Sequence, residues 1–161
     1  MVSNKILNKT ISINAPIAKV WDTLTNPDQI KRWLFGTNVI SDWKAGSQIL
    51  FTGNWQGKDY TDKGTILKFE KEKTFQYNYW SGFFGLPDSS ENYSVITFGL
   101  KTEDNKIALI LIQSNFATET AYEHSEKNWD ATLRPYEEVN RKLITKCSWT
   151  KKCQQQTASP M

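Results

Sequence analysis

Few residue types in this chain could carry covalent or acid–base chemistry, and their spacing limits what they could do. The single histidine, His124, stands among Glu123, Ser125 and Glu126 near an expected helix start. A Ser-His-acid triad would depend on it entirely, no G-x-S-x-G elbow accompanies it, and its setting is that of a solvated imidazole. Cys147 and Cys153 lie in a basic segment with no second histidine available, so a Cys/His zinc site is not expected, and a reducing cytoplasm would keep both as thiols. Glu137 and Glu138 are neighbours on an expected helix, where adjacent side chains diverge by about 100°. Asp59 and Asp62 sit beside Lys58 and Lys63, as on a polar hairpin surface. Neither pair has the pattern of a general acid–base dyad. Gly82 and Gly85 bracket two phenylalanines instead of opening a helix after a strand, so no phosphate-cradling loop is expected. These residues predict no catalytic group, no metal site and no cofactor.

Ring content is the informative anomaly: 7 Trp, 6 Tyr and 8 Phe in 161 residues. Packing in a core is the ordinary use of such side chains. Yet Trp33, Trp43, Phe51, Trp55, Tyr77, Tyr79, Trp80 and Trp129 are more large amphipathic rings than a compact plug requires. A mostly apolar pocket carrying a few hydroxyl and indole N–H groups is the usual site for a small ligand. Trp33, Phe51, Tyr77, Tyr79, Phe98, Ile110 and Trp129 are the residues expected to wall it, with the tyrosine hydroxyls orienting the ligand and the segment 81–90 closing as a lid. Exposed rings also serve protein docking, for which Phe83 and Phe84 with Trp43 or Trp55 are the candidates.

The elements that must position these rings follow from periodicity. Leu7, Ile11 and Ile13 share one face of a strand expected over 5–13. Asn14 is the expected N-cap and Pro16 an early residue of a helix striped by Ile17, Val20, Trp21 and Leu24. Asn26-Pro27 starts a second short helix carrying Ile30, Trp33 and Leu34. Strands are then expected over 47–52, 58–70, 74–80, 91–101 and 106–115, with Phe75, Tyr77 and Tyr79 on one face of the third. From about Thr118, Trp129, Leu133, Tyr136, Asn140 and Leu143 recur at helical spacing, with Pro135 expected to kink that helix or mark its broken start. Helices segregated from an antiparallel sheet make an α+β domain, in which the sheet curves around the last helix.

Size and charge agree with a single domain over 1–146, followed by a basic, then polar, tail over 147–161 that is expected to fray. Five of the 20 basic residues fall between Arg141 and Lys152, and the chain before them holds 15 basic and 17 acidic residues. Such a distribution predicts a solvated helix end, not a nucleic-acid footprint. No apolar run approaches the roughly 20 residues of a membrane span, and no signal peptide opens the chain, so a cytoplasmic location is expected.

The stretch from Asn14 through Ala15-Pro16, Val20-Trp21, Leu24-Thr25-Asn26-Pro27 to Trp33 resembles the signature aPxxxVWxxLTxPxxxxxW of the START-like (SRPBCC, helix-grip) superfamily. More narrowly, it resembles the branch related to the C-terminal domain of the activator of the 90-kDa heat-shock protein ATPase. Asp42-Trp43-Lys44-Ala45-Gly46-Ser47 is similar to the dwxxGg turn, Gly64-Thr65-Ile66-Leu67-Lys68-Phe69 to GxVlei, and Asn128-Trp129 with Leu133 to the GWxxxLxxL helix. The family usually has Gly where Asn128 stands and Leu where Tyr136 stands, and Pro135 is unusual in its helix. The resemblance implies a curved antiparallel sheet wrapped around a long C-terminal helix, with an elongated hydrophobic cavity between them. It implies non-enzymatic binding of a small hydrophobic molecule of lipid, polyketide or flavonoid-like character. A chaperone-interacting domain linked to stress response, acting through a surface patch, is the alternative, and a cyclase- or aromatase-like enzyme stands behind both. Fold is better determined by such a resemblance than function is.

Overall fold

The structure, a computed structural model, describes residues 4–148. The first strand, β1 (Leu7–Ile13), is followed by α1 (Ile17–Thr25) and α2 (Pro27–Trp33), then by β2 (Asn38–Ser41), β3 (Gln48–Trp55), β4 (Lys58–Glu70), β5 (Thr74–Tyr79), β6 (Ser94–Glu103) and β7 (Lys106–Ser114). The last element is the long helix α3 (Glu119–Ser148). Strands β2 through β7 form a meander, short-linked except for the long segment 80–93 between β5 and β6, and β1 adds beside β7, giving the order β1-β7-β6-β5-β4-β3-β2 with every pair antiparallel. Helices α1 and α2 therefore carry the chain from one edge of the curved sheet to the other. The expected tail beyond Ser148 lies outside the described residues.

Three local expectations change. Pro16, not Asn14, stands at the N-cap of α1, and no side chain caps that end. Asn26 does cap α2, its Oδ1 accepting from the Asp28 N–H at 3.0 Å, with Pro27 at the first helical position where no N–H is needed. Strand β2 is additional to the expected set; its four residues hold only Val39 buried while Ile40 is exposed, too short a pattern to show alternation. Pro135 lies inside α3, which runs through it from Glu119; the broken start does not occur.

One face of the sheet is apolar because period-2 alternation places Ile49 and Phe51, Phe75 and Tyr77, Ile96 and Phe98, and Leu109 and Leu111 on the same side. A register shift between Ile66 and Lys68 changes the parity of β4, so that Ile66 and Phe69 both reach the core. Helix α3 covers this face with Trp129, Leu133 and Tyr136. Its polar atoms are bonded: Tyr136 Oη donates to the Val20 carbonyl at 2.7 Å, Thr23 Oγ1 to Asn140 Oδ1 at 3.0 Å, and Asn140 Nδ2 to the Tyr136 carbonyl at 3.0 Å. These bonds fix the tilt of α3 against α1.

Gly64 is required where β4 meets β5. A Cβ built there would stand 1.7 Å from the Asn78 carbonyl oxygen, which is backbone and cannot step aside. Asn78 closes the same spot by accepting the Thr65 N–H on its side-chain Oδ1 at 2.7 Å. Gly64→Ala is expected to cost about 3 kcal/mol or more by forcing the two strands apart, read as a lowered midpoint in urea unfolding followed by circular dichroism; a midpoint equal to the parent's would show that the approach is not constrained.

Candidate functional site

The inward side chains of β3, β5, β6 and α3 converge on one ring cluster. Phe51 lies 5.5 Å from Tyr77 and 5.6 Å from Tyr79, Tyr77 lies 6.4 Å from Phe98, and Phe98 meets Trp129 edge-on at 5.7 Å between centroids. Five of the expected wall residues, Phe51, Tyr77, Tyr79, Phe98 and Trp129, are thus brought together. The other two are not. Trp33 is buried in the helical layer, edge-on to Tyr136 at 4.9 Å, its indole N–H donating to the Thr23 carbonyl at 2.8 Å. Ile110 alternates with the core residues Leu109 and Leu111, so it faces the opposite side of the sheet, where it is half-buried.

Polar groups gather at one end of the cluster. Trp129 Nε1 donates to Gln113 Oε1 at 2.8 Å, and Gln113 Nε2 donates to Ser94 Oγ at 2.9 Å; all three residues are buried. Beside them the Tyr79 hydroxyl donates to the Asp62 carboxylate in a short hydrogen bond, and Ser81 also bonds to Asp62. Sequence reasoning missed Asp62, Ser94 and Gln113. Ser94 and Gln113 hold inward parity with Ile96 and Leu111, a signal that strict alternation contains. Asp62 keeps the parity of buried Ile66 and Gly64, whereas its lysine neighbours had suggested a surface.

Burial pushes the Asp62 carboxyl above the usual carboxylate range, and the hydrogen bonds from Tyr79 and Ser81 pull it back only in part. Burial likewise raises the Tyr77 phenol, and burial together with the Asp62 charge raises that of Tyr79 well above its ordinary value. Tyr77 and Tyr79 are therefore neutral donors at any physiological pH.

The open space at this end is about 40 Å³, bounded by Tyr79, Ser94, Gln113, Phe116, Ala121 and Ser125. That is far below the roughly 300 Å³ at which ligand pockets begin, because the rings that were expected to stand as walls also pack on one another. The expected lid is pinned in place. Gly82–Phe84 forms a 3-10 turn, Trp80 Nε1 donates to the Pro87 carbonyl at 3.1 Å, and Phe83, largely exposed, lies 5.0 Å from the His124 ring on α3. Trp43 packs on Phe69 and Phe75 and offers no docking ring. Among the described residues no three His, Cys, Asp or Glu side chains group to hold a metal ion, and no helix is long and apolar enough to cross a membrane.

A curved antiparallel sheet gripping a long C-terminal helix, with convergent polar groups at one end of an aromatic interior, is the helix-grip architecture of the START-like proteins. The family described as activator of Hsp90 ATPase homolog 1-like protein matches residues 14–139, and the chain belongs to it. The solution structure of ChR145 from Cytophaga hutchinsonii is 44% identical, with a TM-score of 0.73 over 92% of this chain and 99% of that one. The Aha1 dimer from Colwellia psychrerythraea shares the fold at 20% identity and TM-score 0.66, covering 84% and 96%. CalU16 from Micromonospora echinospora does so at 20% and 0.63, covering 95% and 85%. Comparison with curated proteins gives no match.

The raised Asp62 carboxyl has a definite linkage. Its proton is held more tightly in the folded chain than in the unfolded one, so its ionisation weakens the fold at neutral pH, and this is relieved as pH falls through the raised value. Asp62→Asn, which can still accept from Tyr79, is expected to be at least as stable as the parent near pH ~7, with its advantage shrinking toward pH ~4. Urea unfolding of both proteins across that range measures the difference; an advantage that grows on acidification would contradict the assignment.

Proposed function

We propose that the protein binds a small hydrophobic or aromatic molecule in the interior between the sheet and α3. One observation carries this: the half-buried pair Tyr79–Asp62 and the buried groups Ser94–Gln113–Trp129 converge at the mouth of an otherwise apolar, ring-lined interior. A few fixed polar groups in an apolar setting orient a ligand without contributing most of its affinity. Entry requires the segment 81–93 and the first turns of α3 to part, the Phe83–His124 contact lying across that seam. Phe51, Tyr77, Tyr79, Phe98 and Trp129 would then change from mutual packing to contact with the ligand.

An NMR titration of amide and indole signals against fatty acids, flavonoids, sterols and polyketide-like aromatics tests the proposal. Saturable shifts are expected on Tyr79, Ser94, Gln113 and the Trp129 indole for at least one class. Ser125→Trp, at the half-exposed rim of the mouth, is expected to weaken that binding about tenfold or more. Silence from every class would overturn the reading.

A second reading, acid–base chemistry on the bound molecule, is favoured by the position and raised pKa of Asp62, since a carboxylate tuned upward is a better proton acceptor near neutral pH. With a bound ketone in D₂O, Asp62 would take a C–H proton adjacent to the carbonyl and return a deuteron. Deuterium incorporation above the solvent rate, lost in Asp62→Asn while binding persists, is the expected result; no incorporation with any bound ketone leaves a binder alone.

A further inference from the structure

The outer face of the sheet holds a feature that the interior does not explain. Gln48, Thr65 and Asn78 point away from the core on the adjacent strands β3, β4 and β5: Gln48 and Thr65 are direct register partners, and Asn78 Oδ1 takes the Thr65 N–H. On most antiparallel sheets such a row would simply face water. Here the chain from Asp88 to Tyr93 folds up beside it and borders an open cleft of about 340 Å³, a volume within the range of small-molecule sites. The wall is pinned. Lys63 pairs with Asp88, Tyr93 Oη donates to Asp88 at 2.6 Å, Asn92 Nδ2 donates to the Pro87 carbonyl at 2.9 Å, and Asn115 Nδ2 to the Tyr93 carbonyl at 2.6 Å.

The chemistry of the cleft narrows its occupant. Lys63 and Asp88 cancel each other, so an anion would compete with a carboxylate already in place and a cation would meet an ammonium. An apolar molecule would strip water from side-chain amides and hydroxyls and give nothing back. Among the described residues, the Gln48 amide, the Thr65 hydroxyl and Asn78 Nδ2 have no protein hydrogen-bond partner. They present donors and acceptors at the inter-strand spacing of about 4.7–4.9 Å. Tyr93 adds an aromatic ring to the rim. We infer that this outer cleft is a second binding site, for a neutral polyhydroxylated ligand such as a mono- or disaccharide. Because the wall is already hydrogen-bonded in place, little ordering accompanies binding.

The full chain, ¹⁵N-labelled, is titrated with glucose, galactose, N-acetylglucosamine, maltose and cellobiose, and with inorganic phosphate as the anionic comparison. For at least one sugar, saturable shifts are expected on the Gln48 and Asn78 side-chain amides and the backbone of 63–65 and 88–93, with the Trp129 indole unmoved. Thr65→Val keeps the shape and strand preference while removing the hydroxyl, and is expected to weaken binding about three- to tenfold. Gln48→Ala, at an exposed position, is expected to act in the same direction. The site is refuted if no sugar moves these amides, if neither substitution weakens binding, or if phosphate moves them at lower concentration than any sugar. Because the probes and reporter signals differ from those of the interior, failure here leaves the interior proposal standing, and the reverse holds too.

Discussion

A helix laid across the concave face of a sheet must bury polar atoms wherever it crosses other helices, and each of them needs a partner. In this protein the crossing of α3 over α1 is held by Tyr136 and Asn140, whose side chains bond to the Val20 carbonyl and the Thr23 hydroxyl. The same spot holds Trp33, which packs edge-on to Tyr136 and bonds to the Thr23 carbonyl. Everything nearer the mouth follows from this anchor. With the middle of α3 fixed, Trp129 is set over Phe98 and its indole reaches Gln113. Tyr136 and Asn140 thus serve as structure, and Trp129 stands between structure and site.

Two consecutive residues of β4 connect the sheet to the segment that closes it. Asp62 points inward and bonds to Tyr79 and Ser81; Lys63 points outward, pairs with Asp88 and lies 5.7 Å from the centre of the Trp80 ring. Alternation along one strand therefore grips the segment 79–93 from both faces of the sheet. The irregularity beginning at Gly64 follows directly, where close approach of the strands replaces a backbone partner by the Asn78 side chain. Strand geometry, loop position and the interior carboxyl form one unit, and a change at any of them reaches the others.

Much of the fold was legible because its signals are long. The alternation of Phe75, Tyr77 and Tyr79 and the stripe of Trp129, Leu133 and Tyr136 each persist over several repeats, and the proline-led helices carry their own start signals. Strand β2 was not legible, since four residues with one buried side chain have no period to detect. The ring cluster of the candidate site was legible by residue type, but its polar partners were not. Asp62 was disguised by the lysines and aspartates around it, and Ser94 and Gln113 are residue types that ordinarily mark surface. Trp33 misled for the opposite reason: a tryptophan at the end of an amphipathic helix looks the same whether it faces a cavity or another helix.

That ambiguity extends to the interior as a whole. Phe51, Tyr77, Phe98 and Trp129 satisfy one another in tilted, stacked and edge-on contacts, so the space they could enclose is occupied by the rings themselves. A ligand entering here gains ring contacts that the protein already makes internally, and its net affinity comes from the difference. Flat aromatic or branched molecules that replace ring–ring contacts in kind lose least by that exchange, whereas a flexible chain also surrenders its own conformational freedom. The buried polar row sharpens the choice. In the chain formed by Ser94, Gln113 and Trp129 the indole and amide donors have their acceptors, whereas the Ser94 hydroxyl only accepts, with no acceptor for its own proton among the described residues, so a ligand carbonyl can take that proton without breaking the chain. An occupant with one polar group at the edge of a rigid apolar body meets both conditions.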